Sequence, residues 1–166
     1  GNYALCEKED RKLTDFSIKR DKKMLIPFIK EALEKASTPI LLMASPWSPP
    51  PWMKTNNQMN HGGKLKEEFQ DTWAEYYCKY IEFYERDGVP IWGISVQNEP
   101  EAVQTWDSCI YTGEEERDFI KNFLGPALKR NKYLDKKLVI WDHNRDIMVE
   151  LSRAVLSYTD AAKYVW

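Results

Sequence analysis

Pro90-Ile-Trp-Gly-Ile-Ser-Val-Gln-Asn98-Glu99-Pro100 is the stretch on which the fold turns. It follows the stop signal Asp87-Gly88-Val89, and Ile91, Ile94 and Val96 mark it as a buried strand. The strand runs out into an amide, a carboxylate and a proline. Parallel α/β proteins bind substrates just beyond the carboxyl ends of their strands. Glu99 is therefore expected at such a site. Set against Trp92, Trp106 and a proline, its carboxyl can have its pKa raised, so that it holds a proton and serves as a general acid. Successive strand residues face opposite ways, so Asn98 and Glu99 share a site only if the strand has ended or bulges there. The plainer alternative is a carboxylate that merely caps the next helix.

Two more strands stand on either side of it. Ile40-Leu-Leu-Met-Ala44 is a continuous apolar run of strand length, which suits a parallel strand covered on both faces. It empties into Ser45-Pro-Trp-Ser-Pro-Pro-Pro-Trp-Met-Lys54, whose prolines cannot extend a sheet and stiffen the loop. Two tryptophans on a stiff loop suit stacking on the apolar faces of sugars, or else they tuck the loop onto the core. Leu138-Val-Ile-Trp141 is the third strand and ends in Asp142-His143-Asn144.

Helical patterns fill the gaps. Asp21 can cap a helix whose apolar stripe is Leu25, Phe28, Ile29, Ala32 and Leu33. Phe69, Trp73, Tyr76, Tyr77, Tyr80, Ile81 and Tyr84 recur at helical spacing up to Gly88, and such an aromatic stripe is core before it is site. Thr112-Gly-Glu-Glu115 has the form of a capping box, and the acidic run Glu114–Glu116 suits the positive end of a helix dipole without further function. Gly125-Pro126 should kink or interrupt that helix. Ile147, Met148, Leu151, Ala154 and Val155 mark another, and Tyr164-Val-Trp166 opens a further strand.

Alternation of this kind specifies a parallel α/β sheet, either doubly wound or part of a (β/α)8 barrel. No glycine-rich turn follows any strand, against a dinucleotide fold. All three strands end in Trp, Asn, Asp, Glu or His, as barrel active sites do. A complete barrel takes about 250 residues. The 166 residues, read as one domain over 1–166, are expected to supply about half of a TIM barrel. Its open strand edges should favour self-association.

Composition narrows the chemistry. A net charge of −2 offers no field for nucleic acid or acidic membranes, and no apolar run is long enough to cross a bilayer. Cys6, Cys78 and Cys109 are an odd set without metal spacing, and Cys78 lies in a helical pattern as a small core residue. No metal and no cofactor is expected.

Three strand ends resemble the glucosylceramidase-type enzymes of glycoside hydrolase family 30. The text that carries the resemblance is Ala44-Ser-Pro-Trp-Ser-Pro-Pro-Pro-Trp-Met-Lys-Thr-Asn56, Val96-Gln-Asn-Glu-Pro100 and Ile140-Trp-Asp-His-Asn144, with Asp15–Ile18 and Ala161–Val165 in support. The resemblance implies a (β/α)8 retaining β-glycosidase acting on a glycoside or glycolipid such as glucosylceramide. It implies Glu99 as acid/base, Asn98 on the sugar 2-hydroxyl and Trp47 as a wall of the glucose subsite. Asp142, His143 and Asn144 would line the pocket. The nucleophilic glutamate of the family falls after Trp166, so the chain by itself is expected to be inactive. A β-xylosidase, a β-1,6-glucanase or a non-catalytic sugar-binding paralogue are the competing readings.

Overall fold

The computed structural model describes residues 2–166. Its centre is a three-stranded parallel sheet of β1 (Met43–Ala44), β2 (Gly93–Ser95) and β3 (Lys137–Val139), in that spatial order. Met43 pairs with Gly93, which pairs in turn with Lys137, and Ile94 lies between Ala44 and Leu138. Val165 bridges Leu138 in parallel, and the Trp166 N–H donates to the Leu138 carbonyl at 2.9 Å. A fourth strand thus begins beside β3, as the alternation requires.

Helices α1 (Leu25–Lys35), α2 (Gln70–Arg86), α3 (Gly113–Phe119), α4 (Gly125–Arg130), α5 (Met148–Leu156) and α6 (Thr159–Ala162) connect and flank the strands. The aromatic stripe of α2 is core: Trp73, Tyr76, Tyr77, Ile81 and Tyr84 are buried, joined by Val89, Ile94 and Val96 from the central strand. Gly88 ends the stripe at φ +83°, a conformation a side chain resists. The capping box forms as written, with the Glu115 N–H donating to Thr112 Oγ1 and the Thr112 N–H donating to the Glu115 carboxylate. The helix then passes through a π-wound turn, Ile120–Leu124, before Gly125-Pro126 restarts α-winding. Gly125 is needed for space: a Cβ there would run into the Tyr164 ring.

Two expectations fail. The run Ile40–Ala44 is not covered on both faces. Leu42 and Ala44 pack against the core, while Leu41 is 63% and Met43 44% exposed. Successive side chains alternate, and among the described residues β1 has a strand on one edge only. Asp21 does not cap α1, which starts four residues later without a side-chain cap. Instead it is buried and accepts hydrogen bonds from Tyr84 Oη, at 2.9 Å, and from Tyr3 Oη. In α1 Ile26 and Ile29 face the core, while Leu25 and Phe28, both expected in the stripe, are exposed.

Candidate active site

The three strand ends are tied to one another by their own polar groups. β2 stops at Ser95, and the chain turns at Glu99, whose φ is +44°. A left-handed conformation at a non-glycine residue costs of order 1–3 kcal/mol and persists only where surrounding bonds enforce it. Those bonds are present. The Glu99 N–H donates to the Asp142 carbonyl and the Ala102 N–H to the Glu99 carbonyl, both at 2.9 Å. The Asn98 N–H donates to the Pro46 carbonyl at 2.9 Å. The third strand end makes the same departure, since Trp141 has φ +52°. Ser45 Oγ closes the triangle by donating to the Asp142 carboxylate. Asn98 still bridges Asp142 in parallel, and the left-handed turn falls at Glu99, so the two escape strict alternation, the condition on which their sharing a site depends.

The remaining residues expected at the site divide. Trp47 is 49% exposed, and its backbone carbonyl accepts from the Nε2 of buried Gln97 at 2.8 Å, so the ring is presented outward from a fixed backbone. Its neighbour Trp52 does the opposite: its indole N–H donates to the Cys6 carbonyl at 3.0 Å and its ring packs edge-on to Phe69 at 5.1 Å. One tryptophan of the stiff loop is half exposed and one staples the loop down. His143 packs edge-on to Trp141 at 5.2 Å, with a buried, unpartnered Nδ1. Asn144 is exposed, and its backbone carbonyl receives the Trp141 indole N–H at 2.6 Å. Trp92, expected beside Glu99, lies at the other end of β2 and meets Trp166 edge-on at 5.0 Å.

Other polar groups that the sequence did not point to stand behind these. Gln104 Nε2 donates to Glu99 Oε2 at 3.4 Å. Lys54 is fully buried, and its ammonium donates to the carbonyls of Met59, Gly62 and Ser108. Burial lowers its pKa, an effect that Cys109 and Asp107 partly oppose. Glu116, read with Glu114 and Glu115 only as an acidic run suited to a helix dipole, is 1% exposed. Burial pushes its carboxyl up to about 8. The backbone N–H of Trp141 offsets part of that rise and Asp142 adds to it. It differs from Glu114 and Glu115 only in the helix face it occupies, which the run of three glutamates hides. The only available signal is its position one helical turn before Phe119 and Ile120.

One carboxyl, Glu99, thus sits on a rigid turn within reach of an amide donor. A second, Asp142, is committed to the Ser45 hydroxyl. Such a site can donate and recover a proton at one fixed position. Among the described residues no group of three or more His, Cys, Asp or Glu could hold a metal, and no helix is long and apolar enough to cross a membrane.

Comparison with known proteins identifies a family and a fold. The Glycosyl hydrolase family 30 TIM-barrel domain matches residues 2–166. The chain is 40% identical over 165 residues to lysosomal acid glucosylceramidase of Mus musculus, covering 94% of this chain and 32% of that protein. Among solved structures it is similar to SrfJ from Salmonella typhimurium, with 42% identity and a TM-score of 0.93 over 99% of this chain and 37% of that one. It is also similar to the endo-β1,6-glucanase BT3312, at 25% identity and a TM-score of 0.91, over 99% of this chain and 38% of that one. The chain spans about a third of the length of the curated relatives it matches first.

Proposed function

The chain belongs to glycosyl hydrolase family 30, and on that premise we propose that it is the part of a retaining β-glycosidase that carries the acid/base carboxyl, Glu99. The observation that carries the reading is the Glu99 turn. Its left-handed backbone is fixed to the end of β3, and its side chain accepts from Gln104. In the proposed reaction a second carboxylate, supplied from outside residues 1–166, attacks the anomeric carbon. Glu99 gives its proton to the departing oxygen, and the aglycone leaves as an alcohol. Glu99 then takes a proton from the water that releases the sugar. The two carboxyls of such enzymes stand about 5 Å apart. Asp142 is a poor candidate for the second because its carboxylate is engaged by Ser45. Asn98 would hold the sugar 2-hydroxyl, Trp47 would supply a stacking wall, and Asp142, His143 and Asn144 would edge the pocket.

A β-glucoside, glucosylceramide or a related glycolipid, is the substrate class this reading favours, given the 40% identity to a glucosylceramidase. The likeness to an endo-β1,6-glucanase supports a second reading, cleavage of β-1,6-linked glucan. The test is a panel of aryl β-glucoside, aryl β-xyloside, glucosylceramide and β-1,6-glucan, offered to the whole protein and to the 166-residue chain alone. Turnover of β-glucosides by the whole protein, with none by the chain alone, is the expected result. Preference for β-1,6-glucan would shift the reading to the second. Glu99-dependent turnover by the chain alone would contradict the division of carboxyls.

A further inference from the structure

The run Lys54-Thr55-Asn56 has no part in the chemistry above, yet each side chain in it is engaged. Lys54 binds the carbonyls of Met59, Gly62 and Ser108. Thr55 Oγ1 accepts from the Lys64 N–H at 2.9 Å, and Asn56 Nδ2 donates to the Asn60 carbonyl at 3.1 Å. Together they close the 55–64 loop on itself. The Lys54 ammonium then reaches across to a second loop, 101–111, which leads away from Glu99. A buried ammonium is costly unless its donors are all taken, and here three carbonyls take them.

Ser108 is the joint between the loops. Its carbonyl accepts from Lys54, and its hydroxyl accepts from the Gly62 N–H at 2.9 Å and from the Gln104 N–H at 3.2 Å. The His61 N–H donates to the Gln104 carbonyl at 2.7 Å. Both backbone polar groups of Gln104 are therefore held by this joint, and its side chain ends at Glu99 Oε2.

We propose that Gln104 is a positioning residue for Glu99, and that the buried Lys54–Ser108 clip exists to seat it. The amide fixes one carboxyl oxygen of Glu99 and leaves the other toward the glycosidic oxygen. At 3.4 Å the contact is long, as catalytic hydrogen bonds without a ligand often are, and it should tighten when substrate fills the site. The inference rests on the reading of Glu99 as the proton donor and specifies what orients that donor.

The test exploits leaving-group chemistry. A dinitrophenyl β-glucoside departs without a proton, whereas an alkyl β-glucoside needs one. In the whole protein, Gln104→Met keeps the length and volume of the side chain and removes the donor. It should lower kcat/KM for the alkyl glucoside on the order of tenfold and leave the dinitrophenyl glucoside within about twofold, since misplaced acids forfeit orientation first. Lys54→Met should show the same selectivity, and if it does not fold, Gln104→Met decides alone. Equal losses on both substrates, or none on either, would overturn the inference. Glu99→Gln run alongside separates the two claims. If it is selective and Gln104→Met is not, only the inference fails. If Glu99→Gln shows no selectivity, the reading of Glu99 fails and the inference with it.

Discussion

Replacing Lys54 by methionine tests whether the buried ammonium organises the two loops. Methionine is of similar length and leaves little void, so the change removes donors rather than volume. Of the three carbonyls that lose a partner, that of Gly62 keeps the Asn56 amide at 3.3 Å. That of Met59 keeps the Ser108 N–H at 2.9 Å, so only that of Ser108 is left without a partner. An orphaned buried acceptor costs about 1–3 kcal/mol, which puts the change near 1.5 kcal/mol after the relief of no longer burying a charge. At about 1.4 kcal/mol per decade, the loops should open about tenfold more often. Amide hydrogen exchange across residues 55–66 and 101–111 reads this directly, with the rest of the chain as internal reference. Lys64→Met is the control, since its partner Glu115 is exposed and such pairs are worth at most about 1 kcal/mol. The effect has a pH signature as well. Because burial lowers the Lys54 pKa, the folded chain gives up that proton before the unfolded chain does, so stability from this site rises as pH climbs toward about 10.4. The gap between wild type and variant should widen over that range. Exchange in Lys54→Met no faster than in Lys64→Met would refute the reasoning.

Glu116 should make the fold lose stability as pH rises between 4.5 and about 8. Its carboxyl is raised from 4.5 to about 8 by burial, so the stability it confers is complete below 4.5 and is lost as pH rises through 8. At about 1.4 kcal/mol per pH unit, the stability of wild type relative to Glu116→Gln should fall by about 4–5 kcal/mol across that window in denaturant titrations; parallel curves would mean the carboxyl is hydrated. Gly125→Ala drives a methyl group into the Tyr164 ring and should cost about 1–3 kcal/mol, seen as a lower thermal midpoint; an unchanged midpoint would show that Tyr164 can move aside. The 166-residue chain alone exposes Leu41, Met43 and Trp166 and should self-associate in sedimentation, whereas a monomer melting cooperatively would contradict that expectation.

The order of helices and strands was readable because it rests on short-range patterns. The periods of α2 and of Ile91–Val96, the capping box at Thr112 and the stop at Gly88 each act within a few residues. The strand ends were readable for the same reason, since polar residues directly follow apolar runs. What escaped depends on partners distant in sequence. Asp21 serves tyrosines 18 and 63 residues away and so is lost to α1 as a cap. Trp47 and Trp52 look equivalent in the loop, and only the Cys6 carbonyl and Phe69 separate them. Gln104 is one polar residue in a polar loop until Ser108 and His61 fix it beside Glu99. The left-handed turns at Glu99 and Trp141 carry no glycine to announce them, and the bond that fixes Glu99 comes from the end of another strand.

The account stands or falls on Glu99 as proton donor, and the most direct measurement is kcat/KM for Glu99→Gln in the whole protein on glucosides of graded leaving-group acidity. A positioned acid contributes on the order of a hundred- to ten-thousand-fold. The account predicts a loss of that size for alkyl β-glucosides that nearly vanishes for the dinitrophenyl β-glucoside. A loss of the same size on every leaving group would mean that Glu99 does not deliver the proton, and would contradict the account.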